Sequence, residues 1–198
     1  MHVSLEVRLK VTDADGNCAM LRRGNIWKET KQRVLIPFGG GIKAVSHDID
    51  RFRTLLSSVK VGGDLRFSAT KENYQEIVRL FRQITPARMF HEARREFTEE
   101  ALTERHLLTH VPSCRLTYLK KIVLSHLSVR SKTWGEPALS CVGVVRLFPS
   151  EGMLAELVYH SAGKDVEIEF VPSGLLKQEA GAYTNKGSFV PPVYAYLA

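Results

Sequence analysis

The stretch FHEARREFTEEA, Phe90 to Ala101, constrains the fold of this chain more than any other. Read as a helix, it places Phe90, Ala93, Phe97 and Ala101 on one face, the stripe a helix buries against a core. Glu92, Glu96, Glu99 and Glu100 gather within an arc of about 100° on the other face. Like charges one turn apart destabilise an exposed helix by roughly 0.2–0.5 kcal/mol per pair. Two explanations stand side by side. Either this is a solvated face on which Arg88, Arg94 and Arg95 offset the repulsion, or the concentrated negative charge has a use. The helix alone leaves both open.

The segments around it point to an α+β domain. The N-terminal third reads as strands: VSLEVRLKV alternates, DADGN is a turn signal, and CAMLRR and RVLIPF continue what looks like a β-meander. Gly39, Gly40 and Gly41 follow, where a backbone can take positive φ or approach a ligand closely. IDRFRTLLSSV suggests a short helix and GGDLRFSA a turn into a strand. Thr70 caps a helix KENYQEIVRLFRQ, in which Tyr74, Ile77, Val78 and Phe81 repeat at helical spacing. Thr85 with Pro86 starts the carboxylate helix, since proline at the first helical position loses no needed hydrogen bond. SCRLTYLKKIVLSHLSV, ALSCVGVVRLF and DVEIEFV are strand-like, and PSGLLKQEA reads as a short helix after Pro172. With no repeat and no long linker, a single domain over residues 1–198 is expected, a mixed sheet with helices packed on it.

Composition narrows the class. No apolar run approaches the roughly 20 residues that cross a bilayer, and the start lacks the regions of a signal peptide. Cys18, Cys114 and Cys141 are odd in number and widely spaced, which argues for reduced thiols and a cytoplasmic protein. The net charge of +7 favours anionic partners. It leaves nucleic acid open on charge alone, for the basic residues are dispersed.

RREFTEE, Arg94 to Glu100, resembles the core of the Nudix box, which ends in Arg-Glu, an apolar residue, any residue, then Glu-Glu. LIPFGGGIK is similar to the Pro-Gly-Gly loop that precedes the box, after a strand like AMLRR, and EIEFVPSGLL to the late strand, proline turn and short helix of that fold. The box departs from the usual pattern. Gly41 and Arg95 lie more than fifty residues apart, so the segment at approximately 44–84 looks like a helical insertion between glycine loop and Nudix helix. The upstream glutamate position falls on Ala87, and the glycine after Glu-Glu falls on Leu102. A split box with REF and a preceding DLRF is similar to the SMODS-associated Nudix family, found beside nucleotidyltransferases of bacterial antiviral signalling systems.

The resemblance implies a Nudix-like mixed sheet sandwiched by helices, and hydrolysis of a nucleoside diphosphate linked to another moiety. Glu96, Glu99 and Glu100 match metal-binding positions for Mg²⁺ or Mn²⁺, with Glu99, Glu100 and Arg95 catalytic and Arg95 holding a carboxylate in place. Hard cations prefer carboxylates, waters and substrate oxygens, and glutamates at i, i+3 and i+4 supply the carboxylates on a rigid element. Glu92, one turn before Glu96, either replaces the missing upstream glutamate or forms a surface salt bridge with Arg88. Gly39, Gly40 and Gly41 would let amides approach phosphates, and Arg22, Arg23, Lys28 and Lys43 would neutralise them. Trp27, Phe38 and Trp134 are candidates to stack on a base, or else core and rim packing. Asp165, Glu167 and Glu169 are candidates for a further acidic ligand. A second class remains in view: a Nudix-fold sensor that binds a nucleotide second messenger without cleaving it. The intact Arg95, Glu96, Glu99 and Glu100 set favours the enzyme; Ala87 and Leu102 favour the sensor. Partners of either would be a nucleotide-derived ligand and components of a nucleotidyltransferase-based signalling system.

Overall fold

Val3, Leu5, Val7, Leu9 and Val11 alternate along strand β1 (His2–Val11) and are all fully buried, while Glu6, Arg8 and Lys10 between them stay partly exposed. A computed structural model describes residues 1–23, 32–110, 114–130, 137–162, 166–178 and 181–198, without the side chains of 126–130 and 192. The strands that follow are β2 (Cys18–Arg22), β3 (Leu35–Pro37), β4 (Arg66–Ser68), β5 (Arg115–Arg130), β6 (Pro137–Phe148), β7 (Ile168–Val171), β8 (Ala182–Tyr183) and β9 (Phe189–Val190). The helices are α1 (Ser46–Arg51), α2 (Tyr74–Gln83), α3 (Pro86–Thr98), α4 (Glu151–Tyr159) and α5 (Ser173–Leu176). The fold class is α+β, as expected. No helix among the described residues is long and apolar enough to cross a membrane.

The strands sort into sheets of order β4-β1-β6-β5, β3-β2-β7 and β8-β9. The expected N-terminal meander is therefore broken. DADGN does form its turn, with Asn17 donating from its backbone and side chain to the Asp13 carboxylate, both at 2.8 Å. Yet only the single bridge Thr12↔Cys18 joins the two sides of that turn. β2 pairs instead with β3 (Leu21↔Ile36) and with β7 (Met20↔Glu169), both antiparallel. As the centre of its sheet β2 buries four successive residues, Cys18 to Leu21, which explains an apolar run without alternation. Pro37 sits on the edge strand, where a missing N–H is tolerated.

By contacts the chain forms two compact units. One comprises Met1–Arg8, Gly39–Arg94 and Tyr118–Val145; the other comprises Leu9–Phe38, Arg95–Thr117 and Arg146–Ala198. In the first, Thr70 and Asn73 hydrogen-bond each other at 3.0 Å around a single 3₁₀ turn, Lys71–Asn73, that opens α2. Ile77, Val78, Leu80 and Phe81 form its buried face, and Tyr74 stays half-buried. Lys121 closes its far end, donating to the carbonyls of Arg82 (2.9 Å) and Ile84 (2.7 Å) where the helix leaves them without partners. The Thr85 hydroxyl accepts from the Arg88 amide at 3.3 Å, so α3 starts where Thr-Pro implied.

Candidate functional site

Helix α3 buries Met89, Ala93 and Phe97, and the turn after it buries Ala101. Phe90, expected in the same stripe, is only half-buried, and Met89 takes the innermost place against Gly143, where a Cβ would meet the Met89 sulfur at 2.5 Å. Glu92, expected on the polar face, is buried at 3% exposure. It has no surface ion pair with Arg88. That guanidinium turns to Asp48, at 2.6 and 3.0 Å, and to the Lys43 carbonyl, tying α3 to α1.

At the end of α3 the carboxylates meet their arginine. Arg95 reaches Glu96 Oε1 through Nη2 at 2.5 Å and Glu99 Oε2 through Nη1 at 2.8 Å, so one guanidinium spans two acids. The surroundings differ sharply. The side chains of Arg95 and Glu96 are 20% and 11% exposed, whereas Glu99 is 48% exposed. Charge-assisted bonds out of water are the strong ones, so the Glu96 contact dominates. Glu99 Oε1 receives no protein hydrogen bond among the described residues.

The helix widens at these carboxylates. Glu99–Glu104 is a π turn, with the Arg105 amide donating to the Glu100 carbonyl five residues back at 3.2 Å. Where the Nudix pattern has glycine, Leu102 lets the helix run on. It ends instead at His106, which takes the left-handed conformation (φ 52°), and the Leu107 amide closes back on the Ala101 carbonyl at 2.7 Å. Beyond the turn, Arg105 Nη1 reaches Glu167 Oε2 at 2.9 Å, and Arg22 Nη2 reaches Glu167 Oε1 at 2.6 Å. Glu104, Arg105 and Glu167 line an open pocket there.

The other candidates are placed as follows. Gly39 has φ +117°, as a glycine turn allows, but its close neighbour is the chain itself: a Cβ there would collide with the Val7 carbonyl. The Gly40 carbonyl accepts from the Val7 amide at 2.9 Å, Gly41 bridges to Glu6, and a Cβ on Gly41 would lie 2.6 Å from Asp64 Cγ. These glycines let a loop lie against β1. Beside them Arg8 donates to the Gly39 carbonyl and to Glu6. Burial pushes the Glu6 carboxyl up, but Arg8, a hydrogen bond from Ser4 and the Arg66 charge together hold it below its ordinary value. Lys43 pairs with Asp64 at 2.8 Å, and Arg23 is half-buried with its amide on the Val34 carbonyl. Phe38 is fully buried against Phe97, ring centroids 5.0 Å apart, which makes it core and not a base-stacking surface. Glu169 is buried and accepts from the hydroxyls of Thr184 (2.8 Å) and Ser188, so it fastens the β8-β9 hairpin. Trp27, Lys28, Trp134 and Asp165 lie outside the described residues. None of the three cysteines is in a disulfide; burial pushes Cys18 and Cys141 up to about 12, and Cys114 is half-buried.

Glutamate oxygens suit a hard divalent cation. As they stand, however, no group of three or more His, Cys, Asp or Glu side chains among the described residues is gathered to hold a metal ion. The polar pairings around Arg22, Glu167 and Arg105 escaped the sequence reading because 145 and 62 residues separate the partners. No protein-family model, no curated protein and no solved structure matches the chain.

Proposed function

We propose that the chain is a Nudix-like hydrolase that splits the pyrophosphate bond of a nucleoside diphosphate linked to another moiety, with Mg²⁺ or Mn²⁺ required for turnover. One observation carries it. Arg95 fixes Glu96 and Glu99 together while leaving Glu99 half exposed, with its second oxygen receiving no protein hydrogen bond among the described residues. A carboxylate held on one side and open on the other can take the proton of an attacking water, which is the work of a general base. Arg95 restrains that base, and buried Glu96 anchors Arg95. Glu100, half-buried on the π turn, is the further acid of the cluster. The donor type suits the divalent cation; the ungathered side chains do not yet form its site.

A second reading, a non-hydrolytic sensor of a nucleotide second messenger, is favoured by a different observation. Arg95 already neutralises two of the carboxylates, while Gly39 spends its close approach on Val7 of β1 and Gly41 on the Asp64 side chain. Either reading suits a role in bacterial antiviral nucleotide signalling, the setting implied by the sequence resemblance.

The deciding experiment incubates purified protein and Mg²⁺ or Mn²⁺ with nucleoside triphosphates, dinucleoside polyphosphates, nucleotide sugars and cyclic oligonucleotides. Release of a nucleoside monophosphate from one class supports the hydrolase. Tight binding of one ligand without turnover replaces it with the sensor, and neither binding nor turnover removes both.

A further inference from the structure

Strand β6 ends in Arg146 and Phe148, which share a face because they are two residues apart, and β5 begins at Arg115. Both guanidiniums close on one ring. The Arg115 Cζ lies 4.1 Å from the Phe148 centroid and the Arg146 Cζ 4.9 Å from it. Arg146 also donates through Nη2 to Thr12 Oγ1 at 3.3 Å, just past the end of β1. All four residues belong to the second unit.

The two guanidiniums share one ring but no acid among the described residues. Three other arginines of this unit find carboxylates: Arg95 takes Glu96 and Glu99, and Arg22 and Arg105 share Glu167. Among the described residues, Arg115 and Arg146 are each within ion-pair distance of none, and the buried Nε of Arg146 meets no acceptor. Two cations held on one aromatic ring repel each other, and the ring's attraction offsets only part of that. Guanidinium forks match the oxygens of phosphate in pairs. With both guanidiniums so near its ring, Phe148 orients the cations instead of offering a free face to a base.

We propose that Arg115 and Arg146, oriented by Phe148 and Thr12, form a binding site for a dianionic phosphate group, the terminal or pyrophosphate end of a nucleotide. Two positive charges with no acid beside them among the described residues match a dianion, and phosphate has enough oxygens to accept both forks. The site goes beyond the carboxylate cluster, shares no residue with it and needs no cation.

Calorimetric titration with inorganic pyrophosphate, at low salt with a chelator present, tests it. The wild type should bind, and Arg115→Gln and Arg146→Gln should each weaken binding by about tenfold or more, the usual worth of a charge-assisted hydrogen bond. Arg115 is exposed, so its variant should fold and melt like the wild type. Arg53→Gln removes the same charge from an exposed arginine of the first unit and should bind like the wild type. A short single-stranded oligonucleotide forms a second arm. If it binds and is lost in Arg115→Gln while pyrophosphate is ignored, the ligand is a monoanionic phosphodiester backbone and the dianion assignment is overturned. No binding of either probe, or an equal loss in Arg53→Gln, overturns the site itself.

Discussion

Replacing Arg95 by alanine separates a working carboxylate cluster from a charged surface helix. The Glu96 contact, 2.5 Å between side chains 20% and 11% exposed, is a charge-assisted hydrogen bond largely out of water, a class worth about 1.5–3 kcal/mol. The Glu99 contact spans one turn with a half-exposed partner, so solvent reduces it to roughly 0.3–0.5 kcal/mol. Arg95→Ala should therefore cost about 2–3 kcal/mol, a fall in Tm of about 5–10 °C for a chain of this size. Most of that loss is a buried carboxylate left without its guanidinium. Adding Glu96→Gln to Arg95→Ala should accordingly recover part of the stability, whereas adding Glu99→Gln should recover almost none. Urea unfolding of the single and double variants gives the two coupling energies directly. A loss below about 0.5 kcal/mol for Arg95→Ala, or equal couplings for Glu96 and Glu99, would refute the geometry on which the cluster rests.

Two further outcomes follow from the buried thiols and from Glu6. In native protein near pH 8, a thiol reagent should modify Cys114 alone, with Cys18 and Cys141 reacting only after denaturation, because both are fully buried and burial pushes them up to about 12; fast reaction of all three would contradict this. Glu6, held below its ordinary value of 4.5, contributes stability that is fully present above that pH and lost as pH falls through its folded value. Glu6→Gln should thus flatten the acid limb of the stability curve, and an unchanged acid limb would show that Arg8 and Ser4 do not stabilise the charged form.

How far the sequence carried depended on the range of the interaction. The stripe Ala93, Phe97 and Ala101, the Thr85-Pro86 start and the Thr70 cap are settled by neighbours three or four residues apart, and all are found. Strand-like runs were equally legible, but their partners were not, since β-branched residues favour a strand without choosing its neighbour; hence the meander that became two sheets. Helix α4 was overlooked because it buries only Met153 and Leu157 and leaves Val158 and Tyr159 exposed. Its one local signal was Ser150, whose hydroxyl accepts from the Met153 amide at 3.3 Å. In the candidate site the resemblance implied that Arg95 holds a carboxylate; helical spacing accounts for its contact with Glu99 one turn on, but not for the stronger one with adjacent Glu96. The burial of Glu92, the π turn and the Glu167 pairings depend on distant chain or on backbone geometry that no residue type announces.

In the hydrolase we propose, Glu99 belongs to a cation-dependent hydrolytic site. The most direct measurement compares wild type and Glu99→Gln for Mg²⁺- or Mn²⁺-dependent release of nucleoside monophosphate from the best substrate class, with melting temperatures recorded in parallel. Turnover by the wild type, its loss in Glu99→Gln, and a metal-induced rise in Tm that is larger for the wild type are the results expected of folded-state metal binding. Without metal, Glu99→Gln should change stability by less than about 0.5 kcal/mol, since it removes one half-exposed ion pair and some repulsion together. Equal melting shifts in the two proteins, with no turnover in either, would mean that these glutamates form only a charged helix face.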